Sequence, residues 1–458
     1  MAFTEFCCRS GGSNLNAGTR TGNSTEPGTS ASFTYASGSW VSSTGVFTVA
    51  SGNPSTDGVA VGDFASVYAD GATVTTLVGR VTAVSSTTIT VSTTAKSGTT
   101  TDGTSNRTLK IGGAWAGPSG AVNFPFGFVA ATMTNSSSDP VRVNLKNDQT
   151  YSVTATITHN VAGRSIFQGY TTSYGDFGKA TISGGTSGAS YTLITFSTVN
   201  DCAIADLCFI NNGATGSANG VLLNSANRFL MQRCVSTGMR GNGLNVAGTA
   251  LIIECEFYGN NTSNTSSTHG VTCSSAADFI RCIFHDNTGS NADGLASSTT
   301  LRCSHCIFDS NGRHGVSITG SANASFDSCD FYNNTTSGLL ASNTGALVID
   351  SCNFVKNGAY GINAASGTQQ ALMMNCGFGS GTQANTSGNK NALDDALTEL
   401  NTMTYTADAT PWVDPANGDF RITLTAAKGT GRGTYTQTAS SYSGTVGYPD
   451  IGAAQHQD

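Results

Sequence analysis

Residues 303–332 read CSHCIFDSNGRHGVSITGSANASFDSCDFY, and the phrase Cys-x-Phe occurs in them twice, at Cys306/Phe308 and Cys329/Phe331. The same phrase stands at Cys255/Phe257, Cys282/Phe284, Cys352/Phe354 and Cys376/Phe378. Cys234 opens a degraded copy with Ser236 in the Phe slot, and Leu207/Phe209 is a first copy with Leu in the Cys slot. From Cys255 onward the steps are 27, 24, 23, 23 and 24 residues. Self-similarity at a fixed period in the twenties marks a stacked solenoid.

Two further phrases run in step. Gly followed by an aliphatic residue recurs at Gly220-Val221, Gly243-Leu244, Gly270-Val271, Gly294-Leu295, Gly315-Val316, Gly338-Leu339 and Gly361-Ile362, preceded by Asn260, Asn287, Asn311, Asn333 and Asn357. Three residues before each cysteine lies another apolar slot: Met231, Ile252, Phe279, Cys303, Phe326, Ile349 and Met373. Each repeat therefore holds three short apolar pieces separated by turn residues. That is one coil of a parallel β-helix: strands alternate in and out, Asn and Gly make the tight turns, and each coil lies roughly 4.8 Å above the last, so like residues stack in columns. The dense leucine pattern of a leucine-rich repeat is missing, and the Gly, Ser, Thr and Asn content of every unit excludes helical repeats.

Thirteen cysteines raise the question of disulfides. Seven fall in one inward column and Cys303 fills another core slot, so a packing ladder of free thiols is the simpler reading. Stacked neighbours point the same way, which is poor disulfide geometry, and thiols in a line do not converge on a metal. No metal and no cofactor is expected.

Only 11% of residues are charged, and polarity comes from Ser, Thr and Asn, as in a β-rich chain with little helix. The net charge of −7 argues against nucleic acid as partner. No apolar run has the length of a membrane span. The start, MAFTEFCCRSGG, lacks the basic and apolar regions of a secretory signal. The chain is expected to stay inside the cell, leave by another route or be released by lysis within a virus particle.

Residues 1–38 read as an extended N-terminal arm with few apolar anchors. Residues 39–112 alternate as short antiparallel strands, with a tight turn at Asp70-Gly71, and predict a small β-barrel or sandwich. Residues 113–200 predict an N-terminal cap, including the aromatic knot Phe124-Pro125-Phe126-Gly127-Phe128, followed by irregular coils. Residues 201–390 are the regular coils, and 391–458 a C-terminal cap that includes a predicted helix over Ala392–Leu400, capped by Asn391. The tail carries Gly418-Asp419-Phe420-Arg421 and Pro449-Asp450-Ile451-Gly452.

The coils resemble the right-handed parallel β-helix repeats shared by pectate-lyase-like enzymes and phage tailspikes, and the two tail phrases are similar to the closing segment of many bacterial and viral β-helix proteins. The resemblance covers roughly residues 113–458 and implies an all-β, right-handed parallel β-helix. By analogy it also implies a trimer. It says little about function, since this fold hosts lyases, hydrolases, adhesins and inert virion parts.

Chemistry is expected on the outward face beside the Cys-x-Phe ladder, which presents Glu256, Tyr258, His285, Asp309, Asp330 and Tyr332 among Ile283, Ile307, Asn353 and Val355. Asp309 and Asp330 would lie on adjacent coils, two positions out of register and about 8 Å apart at Cα. A glycosidic acid/base pair needs a carboxyl separation of roughly 5 to 9.5 Å. They are the candidate catalytic residues, and Glu256, Tyr258, His285 and Tyr332 the candidate glycan-binding ones. The competing reading is that any solvated β-face of this size carries a few carboxylates. Asp327 and Asp350 share another column, read as solvated turn residues or a cation site, and Arg233, Glu254 and Arg281 form a charge ladder. The calcium-binding Asp cluster and basic residue implied by a pectate-type lyase do not carry over position by position.

Three functions follow. The first is a bacteriophage virion structural protein, a spike, fibre or capsid decoration, located in the virion, trimeric, held to other virion proteins through its N-terminal region and able to bind a cell-surface glycan. The second is a carbohydrate-active β-helix enzyme, hydrolase, lyase or depolymerising tailspike. The third is a surface adhesin. A deep groove with carboxylates favours the second, and an N-terminal arm ordered on a neighbour favours the first.

Overall fold

The computed structural model describes residues 3–22, 25–72, 77–92, 101–116, 140–159, 164–264, 268–321, 323–343, 345–364, 371–379, 397–400, 403–405, 411–417 and 419–422. The aromatic knot at Phe124–Phe128, the Asn391 cap and the phrase at Pro449–Gly452 lie outside them. Almost every described element is a strand, and the chain divides into two compact units.

The first unit holds the N-terminal segment, a barrel and early coils. Strands Phe33–Val41, Val46–Thr48, Thr88–Val91, Leu77–Val84, Phe64–Ala69 and Gly103–Ile111 close, in that order, into an antiparallel barrel. Alternation puts Tyr35, Trp40, Phe47, Val67, Leu77, Val81, Ile89, Leu109 and Ile111 inside it. Closure removes the sheet edges that a short open sandwich would leave exposed. The N-terminal segment, expected as an extended arm, doubles back on itself, with Glu5 N–H donating to Gly22 O at 3.1 Å and Cys7 N–H to Gly18 O at 2.9 Å, and its beginning is a strand. Thr4–Cys8 pairs in parallel with Val141–Lys146, which pairs with Ser165–Tyr170. What orders residues 4–8 is thus the chain's own sheet. Phe6 stacks flat on Trp115 at 5.0 Å, and Cys7 Sγ lies 3.1 Å from the Tyr170 hydroxyl. The adjacent thiols Cys7 and Cys8 are buried and unbonded to each other.

The second unit is a parallel β-solenoid with three faces. One face stacks Ala250–Ile253, Ala277–Ile280, Leu301–Ser304, Ala324–Asp327, Leu347–Asp350, Ala371–Met374 and Leu397–Leu400. The second stacks Val235–Thr237, Glu256–Tyr258, Ile283–His285, Ile307–Asp309, Asp330–Tyr332, Asn353–Val355, Gly377–Phe378 and Met403–Thr404. The third runs from Leu244–Ala247 to Tyr360–Ala364. Pairing is in register, so Phe284, Phe308, Phe331 and Phe354 stack at centroid distances of 4.8, 4.9 and 4.5 Å. All thirteen cysteines are free thiols, and the column Cys234 to Cys376 is buried.

Two polar devices close each coil. Between the first and second faces a single residue turns the chain in the left-handed region: Arg233, Glu254, Arg281, His305, Ser328, Ser351 and Asn375, with φ of 51° to 56°. Apart from His305 and Asn375, these residue types have little intrinsic preference for that conformation. The turn's amide is satisfied by the next coil, as in Arg281 N–H to Ser304 O and His305 N–H to Asp327 O, both 2.9 Å, which holds the conformation against its local cost. After the second face the chain turns inward on a buried asparagine. Asn287, Asn311 and Asn334 each donate from Nδ2 to the next asparagine's Oδ1 at 2.9 Å and to a Phe carbonyl one coil back at 3.0–3.1 Å. Asn334, rather than the expected Asn333, is the column member, because Asn333 makes the left-handed turn with φ 53°. The recurrent glycine is steric in origin. A Cβ on Gly315 or Gly338 would stand 2.7 Å from the next coil's glycine carbonyl.

The helix expected over Ala392–Leu400 is corrected for its described part. Leu397–Leu400 is a strand paired in parallel with Ala371–Met374. An open sheet edge offers a full row of hydrogen-bond partners, and this outweighs the helical spacing of the leucines. Among the described residues no helix is long and apolar enough to cross a membrane.

Candidate functional site

The outward side of the second face divides in two. Register places Glu256, Ile283, Ile307, Asp330 and Asn353 in one column and Tyr258, His285, Asp309, Tyr332 and Val355 in the next. The tail then returns across this face as a hairpin, Trp412–Asp414 and Asp419–Ile422, joined by a 3-10 turn at Pro415–Asn417. Trp412 and Phe420 meet Tyr332 edge-on at centroid distances of 5.5 and 6.0 Å, and Val355 and Tyr405 complete the cluster.

That docking corrects half of the expected site. Asp330, expected in solvent, is fully buried, and Tyr332 is 5% exposed. Asp330 accepts from Asn353 Nδ2 at 2.9 Å, and Asn353 Oδ1 accepts from the Tyr405 hydroxyl. Asp330 therefore sits in a packed polar chain under the tail, and the Asp309–Asp330 pair does not open together to solvent. An aromatic lid over one carboxylate is invisible to strand spacing alone.

The other half remains open as a cavity of about 330 Å³, lined by Glu256, Ile283, His285, Asp286, Ile307, Asp309 and, from the tail, Ala416, Asn417 and Phe420. His285 is its hub. Its Nε2 lies 3.0 Å from Glu256 Oε1 on the preceding coil, its Nδ1 2.8 Å from Asp286 Oδ2, and its ring stacks on Tyr258 at 4.9 Å. Burial alone would push this imidazole's pKa down. The two carboxylate bonds outweigh burial and hold it above the usual value.

Asp309, one coil beyond His285 in the same column, behaves differently. Burial pushes its pKa up to about 6, and Asp286 adds to the rise. The Ser310 hydroxyl, donating to Oδ1 at 2.7 Å, and His285 oppose it. The pocket thus holds Glu256, hydrogen-bonded to an imidazole, together with Asp309, whose pKa burial raises to about 6. A carboxyl tuned toward neutral pH in a cavity suits acid/base chemistry.

Asp286 and the tail residues Ala416, Asn417 and Phe420 were not anticipated from sequence. Asp286 is adjacent to His285 and was legible as such. The tail residues join the site only by docking. The other acidic column is structural: Asp327 and Asp350 pair across the first face and accept from Ser328 and Ser351 hydroxyls at 3.1 and 3.0 Å. Arg281 and Glu254 form an exposed ion pair at 2.7 Å. Among the described residues, no group of three or more His, Cys, Asp or Glu side chains is placed to hold a metal ion.

A family model described as a right-handed β-helix region matches residues 219–378. The fold is therefore a right-handed parallel β-helix. No curated protein sequence matches the chain. Among solved structures, pectate lyase Pel9A superposes with a TM-score of 0.51 at 17% identity, over 69% of this chain and 88% of that one. Geobacillus virus E2 ORF18 gives 0.43 at 18% identity over 59% of this chain and 54% of that one. The Dettilon tailspike protein gives 0.42 at 11% identity over 62% and 61%. At these identities the likeness is one of fold.

Proposed function

We propose that the chain is a carbohydrate-active β-helix protein that hydrolyses a glycan in the Glu256–His285–Asp309 pocket. One observation carries this reading: a carboxyl held near pKa 6 by burial shares an apolar-walled cavity with a second, ion-paired carboxylate. In the reaction, Asp309 donates its proton to the glycosidic oxygen as the C–O bond breaks, and Glu256 takes a proton from the water that attacks the anomeric carbon. The two residues lie two coils and two positions apart, roughly 12 Å between Cα atoms from strand spacing. An inverting pair needs its carboxyls roughly 6.5–9.5 Å apart to hold a water between them, so this reading requires the two side chains to approach one another from that span. Elimination fits less well. A proton acceptor for elimination would be His285, and the carboxylates of Glu256 and Asp286 favour its protonated form. The fold shared with a pectate lyase supports carbohydrate chemistry as the class to test first.

Release of reducing ends from a panel of polysaccharides tests this, with wild type beside Asp309→Asn and Glu256→Gln. Activity in the wild type, reduced at least a hundredfold in either variant, is the expected result. Activity equal in all three proteins, or none on any polymer, would sink the assignment.

A virion role is the second reading. The feature in its favour is the N-terminal barrel, a separate module none of whose residues lines the pocket. The arm counts less for it than expected, since residues 4–8 are ordered on the chain's own sheet. A depolymerising tailspike would use the same pocket. Light scattering on the full chain tests the trimer that this reading requires.

A further inference from the structure

Apart from the Asn287–Asn311–Asn334 column, a second polar ladder runs through the coils that carry the pocket. Its members stand immediately before the recurrent glycines: Asn219, Asn242, His269, Asp293 and His314. A side-chain acceptor on one member takes the backbone N–H of the next. Asn219 Oδ1 accepts from Asn242 at 3.3 Å, Asn242 Oδ1 from His269 at 2.6 Å, His269 Nδ1 from Asp293 at 3.2 Å, and Asp293 Oδ1 from His314 at 3.2 Å. His269, Asp293 and His314 follow, each in its own coil, the strands Glu256–Tyr258, Ile283–His285 and Ile307–Asp309. The coils that bear Glu256, His285 and Asp309 are thus tied together by two histidines and one aspartate. All three of these side chains are buried.

We propose that His269 and His314 form an acid-sensitive switch in the coils that carry the pocket. An imidazole nitrogen accepts a hydrogen bond only while it holds no proton. The rung from Asp293 N–H to His269 Nδ1 therefore exists in the neutral ring alone. Asp293 Oδ2 lies 3.3 Å from the same nitrogen, and Arg313 holds that carboxylate with two bonds, at 2.7 and 2.5 Å. A proton on Nδ1 turns the acceptor into a donor. The buried Asp293 amide then loses its partner, and the new N–H competes with Arg313 for the carboxylate. His314 ends the ladder with a buried Nδ1 that has no hydrogen-bond partner among the described residues. The charged and titratable groups at the ladder are the two imidazoles, Asp293 and Arg313. Burial is the largest influence on both rings, with Asp293 favouring their charge and Arg313 opposing it, so His269 is pushed down and His314 reaches about 4. The fold thus keeps the neutral rings. The stability they supply is present above the unfolded value of about 6.5 and is lost as pH falls from there through about 4. The proposal concerns regulation of the pocket and rests on the hydrolytic reading only for its consequence. There, Asp309 needs its proton in the same range in which the ladder begins to fail, so the ladder sets the acid limit of the site.

Hydrogen exchange of the full chain between about pH 7 and pH 5, corrected for the intrinsic pH dependence of exchange, tests the switch. The comparison is the double variant His269→Asn, His314→Asn. Asparagine places a non-titrating oxygen where Nδ1 stands, as Asn219 and Asn242 already do on the same ladder. Protection of the Asp293 and His314 amides is expected to fall about tenfold or more in the wild type over this range, and to change less than about threefold in the variant. Equal falls in the two proteins would assign the loss to carboxyl groups and overturn the switch. Should the variant fail to fold, proton NMR of the wild-type imidazoles decides. Their ring signals should titrate below the ordinary histidine value, and titration of both at about 6.5 with the Asp293 amide unmoved overturns the proposal. Neither readout needs a substrate, so an absence of glycan cleavage would count against the hydrolytic reading and leave the switch to stand or fall on exchange alone.

Discussion

Asp309 and Tyr332 are directly paired neighbours in one outward column, yet Asp309 lines an open cavity while Tyr332 lies beneath Trp412 and Phe420. One coil of translation separates a candidate reactive carboxyl from a packed aromatic. The boundary is drawn by the tail hairpin, whose Phe420 belongs both to the aromatic cluster and to the cavity wall.

Asp309→Asn should separate stability from activity. The folded-state pKa of about 6 lies above the ordinary aspartate value of about 3.9, so the folded protein holds this proton more tightly. That advantage is complete below the unfolded pKa and is lost as pH rises through about 6. Asparagine does not titrate. The variant should gain on wild type between pH 4 and 7, by on the order of 1–2 kcal/mol given partial solvent screening. Thermal melts across that range check this, and a constant offset between the two proteins would contradict it.

Trp412→Ala should release the hairpin while leaving the solenoid intact. Edge-on aromatic pairs contribute about 0.5–1.5 kcal/mol each beyond area burial, and Trp412 makes two. Hydrogen exchange should speed up in residues 330–332 and 353–355, with little change in the first-face strands. Uniform acceleration throughout the coils would argue against a locally docked tail.

Phe331→Ala removes a ring stacked between Phe308 and Phe354, both within 5 Å. A cavity in a regular column cannot close without shifting the coils on either side. The expected cost is about 3–5 kcal/mol. An unchanged melting temperature would count against the column as a packing unit.

Asn334→Ala removes the Nδ2 donor to the Phe308 carbonyl and takes the Oδ1 acceptor from both the Asn311 backbone N–H and one Asn311 Nδ2 hydrogen, while Asn357 Oδ1 keeps the backbone N–H of residue 334. Leaving buried polar groups unpaired costs about 1–3 kcal/mol each, part of which relaxation recovers. A loss of about 3 kcal/mol in denaturant midpoints is expected, against well under 1 kcal/mol for the turn neighbour Asn333→Gly, whose left-handed φ glycine accepts.

Native alkylation should find one thiol. Cys208 is half-buried, and the other twelve cysteines are buried. Burial pushes the pKa of Cys7, Cys202 and Cys352 up to about 11, which lowers their thiolate fraction. Mass spectrometry should show a single fast adduct on the folded protein and thirteen in denaturant. Several fast adducts would mean that the column opens.

What the sequence determined by itself was everything that repeats. The Cys-x-Phe phrase, the Gly-aliphatic phrase and the three apolar slots recur because each coil must present the same shape to the next, and a periodic constraint is written periodically. The barrel was legible too, from alternation within short strands. Tertiary structure decided the turn that no residue type announces and the contacts that occur only once. The left-handed turn runs through Arg281, Ser328 and Ser351, residues chosen by no local preference, because hydrogen bonds to the next coil hold it there. Leu397–Leu400 joined an open sheet edge against its helical spacing. Asp330 left the solvent and Phe420 entered the pocket because the tail folded back over one face. The contact of Tyr332 with Phe420 joins residues about ninety positions apart and occurs a single time, so no spacing in the chain announces it.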